Sequence, residues 1–149
     1  MRALIQRVTR ASVTVDGKRI SSIGRGLLVL VGIKADDTQE DIGYLCRKIV
    51  NLRIFPDEEG VMNLSVLQAG GEILSVSQFT LMGSCRKGNR PSYIAAAPAE
   101  VSELLYGQFC DSLSLALGRE VGRGIFGADM KVELLNDGPV TIWIDSAER

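Results

Sequence analysis

The sequence predicts a mixed α/β fold in which strand-rich segments at both ends of the chain enclose two helices. Leu27–Ile33 is continuously apolar, which is typical of a strand buried on both faces. Two other segments carry apolar residues at helical spacing, and β-branched residues recur near both termini. The chain has 149 residues, 46% hydrophobic and 23% charged, so we expect one domain spanning residues 1–149.

The first third of the chain predicts strands followed by a helix. Arg2–Val8 and Ala11–Val15 have strand patterns, and Asp16-Gly17 is a hairpin signal leading into Arg19–Ile23. Asp37, with Glu40 three residues later, resembles a capping box at the start of a helix that packs on the sheet. The apolar residues of this helix are Ile42, Leu45, Ile49, Val50 and Leu52.

The middle of the chain predicts two strands, a basic loop and a second helix. Arg53–Phe55 and Glu72–Leu81 have strand character, and a polar loop spans Met82–Asn89. Pro98 suits the start of the helix and Gly118 suits its C-cap. The expected apolar stripe of this helix is Val101, Leu104, Leu105, Phe109, Leu113 and Leu117.

The last third predicts glycine-rich turns and two strands, Lys131–Leu135 and Val140–Ile144. Between these strands, Asn136–Pro139 has the residues of a tight turn. Proline removes a backbone donor, and an X-Pro bond adopts cis at modest cost. A Gly138-Pro139 pair there can present a backbone carbonyl outward with no side chain shielding it.

Composition excludes several classes of function. The formal net charge of −1 argues against a general nucleic-acid coat, which relies on a basic excess. There is no histidine, which excludes Ser-His-Asp and Cys-His catalysis and His-ligated metals. The widely spaced Cys46, Cys85 and Cys110 argue for a reducing compartment and against zinc. We therefore expect a protein with no metal or cofactor. We also expect it to be cytoplasmic and to have no membrane partner, since no apolar run approaches ~20 residues and no signal peptide precedes the first strand.

Three clusters carry residues suited to chemistry. The first cluster lies at the end of a predicted buried strand and comprises Ser77, Gln78, Phe79 and Thr80. Its hydroxyls, amide and free backbone N–H groups could form an oxyanion hole. The alternative is an ordinary polar strand end, which is common. Arg86–Pro91 is either a solvated basic loop or a phosphate clamp. Gly124–Met130 is either a tight turn on the core or a flat pocket for a planar ring, lined by small residues next to Phe126 and Met130, since thioether–aromatic contacts are favourable.

Taken together, four ordered motifs resemble the D-aminoacyl-tRNA deacylases (D-tyrosyl-tRNA deacylases). They are Ser77–Leu81, Lys87–Ser92, Phe126–Met130 and Asn136–Thr141, and the resemblance extends from Ile5 to Asp145. The sequence departs from the family pattern at Tyr93, where Phe is expected, and at Arg123, where Thr is usual.

The resemblance implies a three-layer α/β/β fold and a homodimer that hydrolyses the ester of D-aminoacyl-tRNA, and of tRNA mischarged with glycine. It implies that the Gly138-Pro139 peptide is cis and reaches across the dimer into the partner's pocket, supported by Arg7. Lys87, Arg90, Phe126 and Met130 are the expected tRNA-binding residues.

With no histidine to activate Thr80, our hypothesis is that water attacks the ester with help from the ribose 2′-OH, while the N–H groups of Phe79 and Thr80 hold the carbonyl oxygen. Two alternatives remain at this point. The chain could bind the tRNA 3′ end without turnover, or it could be a Thr- or Ser-dependent hydrolase of small esters.

Overall fold

The computed structural model describes residues 1–149 and contains eight strands and two α-helices. The strands are β1 (Arg2–Val15), β2 (Lys18–Ile23), β3 (Gly26–Gly32), β4 (Phe55–Pro56), β5 (Met62–Leu64), β6 (Glu72–Ser77), β7 (Gly122–Arg123) and β8 (Lys131–Asp145). The helices are α1 (Gln39–Asn51) and α2 (Ala99–Leu117), with short 3₁₀ helices at Phe79–Met82 and Ser146–Glu148. Neither α-helix combines the length and apolar character needed to cross a bilayer.

Six strands form one mixed sheet, and the other two form a separate hairpin. The order in the large sheet is β2-β1-β3-β6-β7, and β8 also pairs with β1. The β3–β6 and β6–β7 pairs are parallel, while β1 is antiparallel to β2, β3 and β8. Because β2 also contacts β6 and β7, the sheet curls and nearly closes on itself.

The two faces of β3 belong to two different hydrophobic cores. Leu27, Val29 and Val31 face a large core of 23 buried residues that includes the inner faces of both helices. Leu28 lies in a second core of seven buried residues, all of them from strands. The helices therefore cover one face of the sheet and curled strands cover the other. This arrangement confirms the expected three-layer α/β/β fold with two main helices.

The long β1–β8 ribbon corrects two predictions at once. The segments expected as two strands at each end of the chain are single strands, which pair antiparallel from Arg2 with Asp145 to Thr14 with Lys131. Gln6 pairs with Thr141, and Val8 pairs with Asn136. Between these two pairs β1 moves on by two residues and β8 by five, so β8 contains three extra residues. Asn136–Pro139 is therefore a bulge within one strand and does not turn the chain back on itself.

The helix α1 starts one residue later than the sequence pattern indicated. Its N-cap is Thr38, and the box partner is Asp41, whose carboxylate accepts the Thr38 N–H at 2.8 Å. Asp37 instead accepts the N–H of Lys34 at 2.7 Å and pairs with the chain's amino terminus. Because the Asp37 side chain is bonded within the preceding turn, Thr38 serves as the N-cap of α1.

Two further predictions were partly wrong. The buried strand β6 ends at Ser77, because Phe79–Met82 winds into a 3₁₀ helix. In α2 the expected C-cap is confirmed, with Gly118 at φ +75°, but the buried stripe is shifted. Val101 and Leu104 are exposed, and the residues that α2 buries are Ser102, Tyr106, Phe109, Cys110, Leu113 and Leu117.

Candidate active site

A cavity of about 500 Å³ opens where the parallel strands β3 and β6 end. The carboxyl ends of parallel strands are where α/β folds commonly bind ligands. Eleven of its sixteen lining residues are hydrophobic, so the space suits a largely apolar or planar group. The lining residues are Val31, Ile33, Val76, Ser77, Gln78, Phe79, Ala96, Ala97, Ala99, Ser102, Phe126, Gly127, Ala128, Asp129, Met130 and Val132.

The 3₁₀ helix at Phe79–Met82 forms one rim of this cavity and is held close to β3. Gln78 donates its N–H to the Val31 carbonyl at 2.7 Å, which anchors the start of the turn. Gly32 permits the close approach, since a Cβ there would lie 3.0 Å from the Leu81 side chain. The first N–H bonded inside the turn is that of Leu81, to the Gln78 carbonyl at 3.2 Å. The N–H groups of Phe79 and Thr80 precede it and have no partner within the helix.

The structure brings together five of the predicted site residues from two separate motifs. Ser77, Gln78, Phe79, Phe126 and Met130 all line the cavity. Thr80 belongs to the same turn but does not line the cavity, and its hydroxyl accepts a hydrogen bond from the Gln78 side-chain amide. An amide cannot act as a base, so nothing in contact with this hydroxyl would activate it as a nucleophile.

Phe126–Met130 forms the opposite wall of the cavity, so the segment does line a pocket. Phe126 packs against Tyr106 of α2, with ring centroids 6.2 Å apart. Gly124 makes room for Met130, because a Cβ at this glycine would lie 2.6 Å from the Met130 sulfur. Asp129 is the one carboxylate on the lining, and it is held at the exposed rim by Lys131 Nζ at 2.9 Å.

Several lining residues were missed by sequence reasoning. The third wall comes from the alanine-rich segment that leads into α2, including Ala96, Ala97 and Ala99. Its position is fixed by the Ala97 N–H, which donates to the Ile33 carbonyl at 2.9 Å. A run of small residues before a helix is a usable signal for an open space. Its hydrogen bond to Ile33, the residue after β3, joins segments that are far apart in the sequence.

A cluster of buried polar side chains beneath the cavity supports the strand β6. The Tyr106 hydroxyl donates to the Ser75 carbonyl at 2.9 Å, and the Cys110 thiol contacts the Ser75 hydroxyl at 3.5 Å. Burial raises the pKa of Tyr106 and of Cys110, and it raises the pKa of Cys46 to about 12. These thiols stay protonated at neutral pH, so they serve packing and are not nucleophiles.

The bulge on β8 is held by Arg7, whose side chain is almost fully buried. Arg7 Nη1 donates to the Ile54 carbonyl at 2.5 Å and Nε donates to the Asp137 carbonyl at 3.2 Å. The Asp137 carboxylate also lies 3.2 Å from Nε. These contacts fix the base of the bulge from the β1 side.

At the tip of the bulge, the Gly138–Pro139 peptide bond is cis, and both residues are exposed. Gly138 has φ +120°, a conformation that favours glycine, and a Cβ there would lie 2.8 Å from Arg7 Nη2. Asn136 closes the bulge by accepting the Val140 N–H at 3.2 Å. Neither tip residue lines the cavity of its own chain.

The predicted basic loop is a short exposed excursion next to the cavity-lining turn. Ser84 and Ser92 close its base through two backbone hydrogen bonds of 2.9 Å. Lys87 and Arg90 lie in the exposed part of the loop and do not line the cavity. No acidic residue occurs between Glu72 and Glu100, so the positive charge of this region is not neutralised locally.

The two departures from the family pattern lie outside the cavity lining. Tyr93 packs edge-on against Phe79, with ring centroids 5.1 Å apart. Arg123 bonds Asp111 of α2 at 2.7 Å and thereby ties β7 to the helix. The aspartate holds the pKa of Arg123 above its ordinary value, even though burial alone would lower it.

Comparison with known proteins shows which family this chain resembles. Residues 4–145 match the family model of D-Tyr-tRNA(Tyr) deacylase. A D-aminoacyl-tRNA deacylase of Bacteroides thetaiotaomicron is 64% identical over 149 residues, covering 100% of this chain and 99% of the relative. One from Chromobacterium violaceum is 60% identical over 146 residues, covering 98% of this chain and 97% of the relative.

Two solved structures share the fold. One, described as c-Myc DNA Unwinding Element Binding Protein, has a TM-score of 0.93 and 48% identity, over 97% of this chain and 98% of that chain. The other, described as a probable eukaryotic D-amino acid tRNA deacylase, has a TM-score of 0.83 and 21% identity, over 96% of this chain and 97% of that chain. The family model and the full-length relatives agree with the motifs at the cavity, and the chain belongs to the D-Tyr-tRNA(Tyr) deacylase family.

Proposed function

We propose that this protein is a D-aminoacyl-tRNA deacylase, an enzyme that hydrolyses the ester between a D-amino acid and the terminal adenosine of tRNA. One observation carries the proposal beyond family membership. Residues of two distant motifs, Ser77–Phe79 and Phe126–Met130, line a single cavity at the ends of β3 and β6. This geometry offers a place for an adenosine and an adjacent set of polar groups for its ester.

In this proposal the catalytic turn comprises Ser77, Gln78, Phe79 and Thr80. The N–H groups of Phe79 and Thr80 hold the carbonyl oxygen of the ester, where negative charge develops during attack. Water is the nucleophile and the substrate's own ribose 2′-OH assists it. An aminoacyl ester is already reactive, so positioning and modest charge stabilisation are sufficient for catalysis.

Phe126 and Met130 hold the adenine in the apolar part of the cavity, because a planar base packs well against an aromatic ring and a thioether. Lys87 and Arg90 lie near phosphates of the single-stranded tRNA end, where cations add affinity that falls with salt. A tRNA substrate is compatible with a cytoplasmic enzyme, and hydrolysis of the ester by water requires no cofactor.

Selectivity for D-amino acids is proposed to come from a second subunit in a homodimer. Gly138 and Pro139 are exposed, are fixed through Arg7, and lie outside the cavity of their own chain, which supports their insertion into the cavity of a partner. The Gly138 carbonyl then holds the substrate amino group, while Pro139 occupies the space an L side chain would need. Glycine has no side chain to reject, so glycyl-tRNA is also hydrolysed.

Release of D-tyrosine and L-tyrosine from their charged tRNAs by the purified protein tests the activity. We expect rapid loss of the D ester with the L ester spared. Loss of both esters would keep the hydrolase and contradict the chiral filter. Loss of neither, with binding that weakens steeply as salt rises, would instead favour a binding module for the tRNA 3′ end. Covalent labelling of Thr80 or Ser77 by an ester analogue would favour the small-ester hydrolase.

A further inference from the structure

Two aromatic rings form an exposed surface, here called the aromatic shelf, at the rim of the cavity. The shelf consists of Phe79 and Tyr93, whose rings meet edge to face at an angle of 70°. Phe79 lines the cavity, yet 56% of its surface is exposed, and Tyr93 is 38% exposed. One side of the shelf therefore belongs to the cavity while the other faces outward.

The shelf is built into the fold on both sides. The Phe79 side is fixed by the 3₁₀ helix, and Gly83 makes room for the second ring, since a Cβ there would lie 3.0 Å from Tyr93 Cε1. Tyr93 follows the Ser84–Ser92 bridge directly, and its carbonyl accepts the Ala96 N–H at 2.9 Å. The shelf thus connects the cavity to the basic loop, which carries Lys87 and Arg90.

We infer that the aromatic shelf is a stacking site for the base of the nucleotide that precedes the terminal adenosine. This inference rests on the proposed function. An exposed aromatic surface between an adenosine-sized cavity and a cluster of unneutralised cations matches the chemistry of a single-stranded nucleic acid, in which bases stack and phosphates pair with cations. In this arrangement the cavity takes the terminal nucleoside, the aromatic shelf takes the preceding base, and the basic loop lies near the backbone phosphates.

The test compares three D-tyrosyl esters: one of adenosine alone, one of the trinucleotide CCA, and one of CCA in which the middle nucleotide lacks its base but keeps its phosphate. The readout is the ratio of kcat/KM for the intact trinucleotide to that for the abasic one. We expect roughly a tenfold ratio, arising mostly in KM, as for the loss of one stacked base.

Variants of the shelf locate the effect. Tyr93→Leu should bring the ratio close to one, and Tyr93→Phe should keep it. Ile94→Ser is the matched control, because Ile94 is the adjacent residue, is 96% exposed and has no ring, and it should keep the wild-type ratio.

A ratio of one in the wild-type enzyme would overturn the inference without depending on how any variant folds. Hydrolysis of the adenosine ester in that experiment would show that the proposed function survives. If no ester is hydrolysed, the proposed function itself fails. A Tyr93→Leu protein that dissociates into monomers, and loses activity equally on both trinucleotides, would assign the shelf to the subunit interface and overturn the inference.

Discussion

At the scale of single residues, Gly138 is the only glycine with a positive φ at which an added Cβ would also be crowded. It combines φ +120° with two crowded neighbours, since a Cβ would lie 2.8 Å from Arg7 Nη2 and 2.9 Å from the Val140 side chain. A side chain at this position would therefore displace the arginine that fixes the bulge.

We predict that Gly138→Ala abolishes the discrimination between D- and L-tyrosyl-tRNA and lowers deacylation at least tenfold. Both effects follow from displacement of the Gly138 carbonyl and Pro139. Gly60→Ala is the matched control, because Gly60 has φ +79° but open space around it. Gly60→Ala should lose about 1 kcal/mol of unfolding free energy from the left-handed backbone, and Gly138→Ala should lose more because its Cβ also meets Arg7 and Val140; urea denaturation measures both losses. A Gly138→Ala enzyme that still spares the L ester would contradict the role given to the bulge.

Thr80 allows the proposed mechanism to be separated from nucleophilic catalysis. Its hydroxyl contacts only the Gln78 amide, so Thr80→Ala should keep kcat within about fivefold of the wild type, whereas a lost nucleophile costs far more. In contrast, a D-tyrosyl ester of a tRNA ending in 2′-deoxyadenosine should react at least about 100-fold more slowly, the scale of a lost proton-transfer partner. Single-turnover kinetics measure both. Normal turnover of the deoxy substrate would exclude assistance by the ribose.

At the scale of elements, the basic loop is the best place to test contact with tRNA phosphates. Each phosphate contact on a single strand contributes ~0.7 to the slope of log KM against log salt concentration. Replacing both Lys87 and Arg90 by Gln should therefore reduce this slope by about 1.4. Lys18→Gln combined with Arg19→Gln on β2 removes the same charge from a region that does not line the cavity. Equal slopes for the two double variants would mean that the loop does not touch the nucleic acid.

The elements also show what a sequence can predict. The helices, the β1–β2 hairpin and the doubly buried β3 were predictable, because hydrophobic spacing and turn residues act locally. Asn136–Pro139 was misassigned as a turn, since a turn and a bulge use the same residues and differ only in the partner strand. Both halves of β8 pair with β1, at separations of 117 to 143 residues in the chain. Long-range pairing of this kind leaves no local signal.

The same limit applies to the site. The polar end of β6 and the Phe126–Met130 wall were predictable from residue type, and the family resemblance joined them into one function. The alanine wall before α2 was missed, because its place in the cavity depends on one backbone hydrogen bond to Ile33. The cap of α1 moved from Asp37 to Thr38 because Asp37 is engaged by the preceding turn.

At the scale of the whole molecule, Asp145 joins the two ends of the chain. It is 7% exposed and accepts Arg2 Nε at 2.8 Å. Arg2 also donates to the Leu81 carbonyl at 2.9 Å, so this ion pair extends to the turn at the cavity rim. Burial opposes ionisation of Asp145, but the bonds from Arg2 and the Ala147 N–H, with Lys34 nearby, lower its pKa below the ordinary value of 3.8.

Because the folded-state pKa of Asp145 is lowered, its ionisation stabilises the fold above the unfolded pKa, and the stabilisation is lost as pH falls through the folded value. We predict that the difference in unfolding free energy between wild type and Asp145→Asn is largest near about pH 6 and shrinks below about pH 4. Arg2→Gln should flatten the same part of the curve. Urea denaturation from pH 3 to pH 7 measures this, and a constant difference across that range would contradict it.

The three surplus residues of β8 have a consequence for how the proposed chiral filter could arise. If Asp137, Gly138 and Pro139 are removed, Val140 falls opposite Arg7, and the stretch between the Gln6–Thr141 and Val8–Asn136 pairs becomes regular, while the next register shift, between Val8 and Arg10, remains. Asp137–Pro139 is therefore an insertion within the β1–β8 pairing, and the proposed selectivity element lies outside the paired residues on either side of it. Under the proposed function, one small insertion would be enough to add stereochemical choice to this fold, and its removal would leave the strand pairs on either side in place.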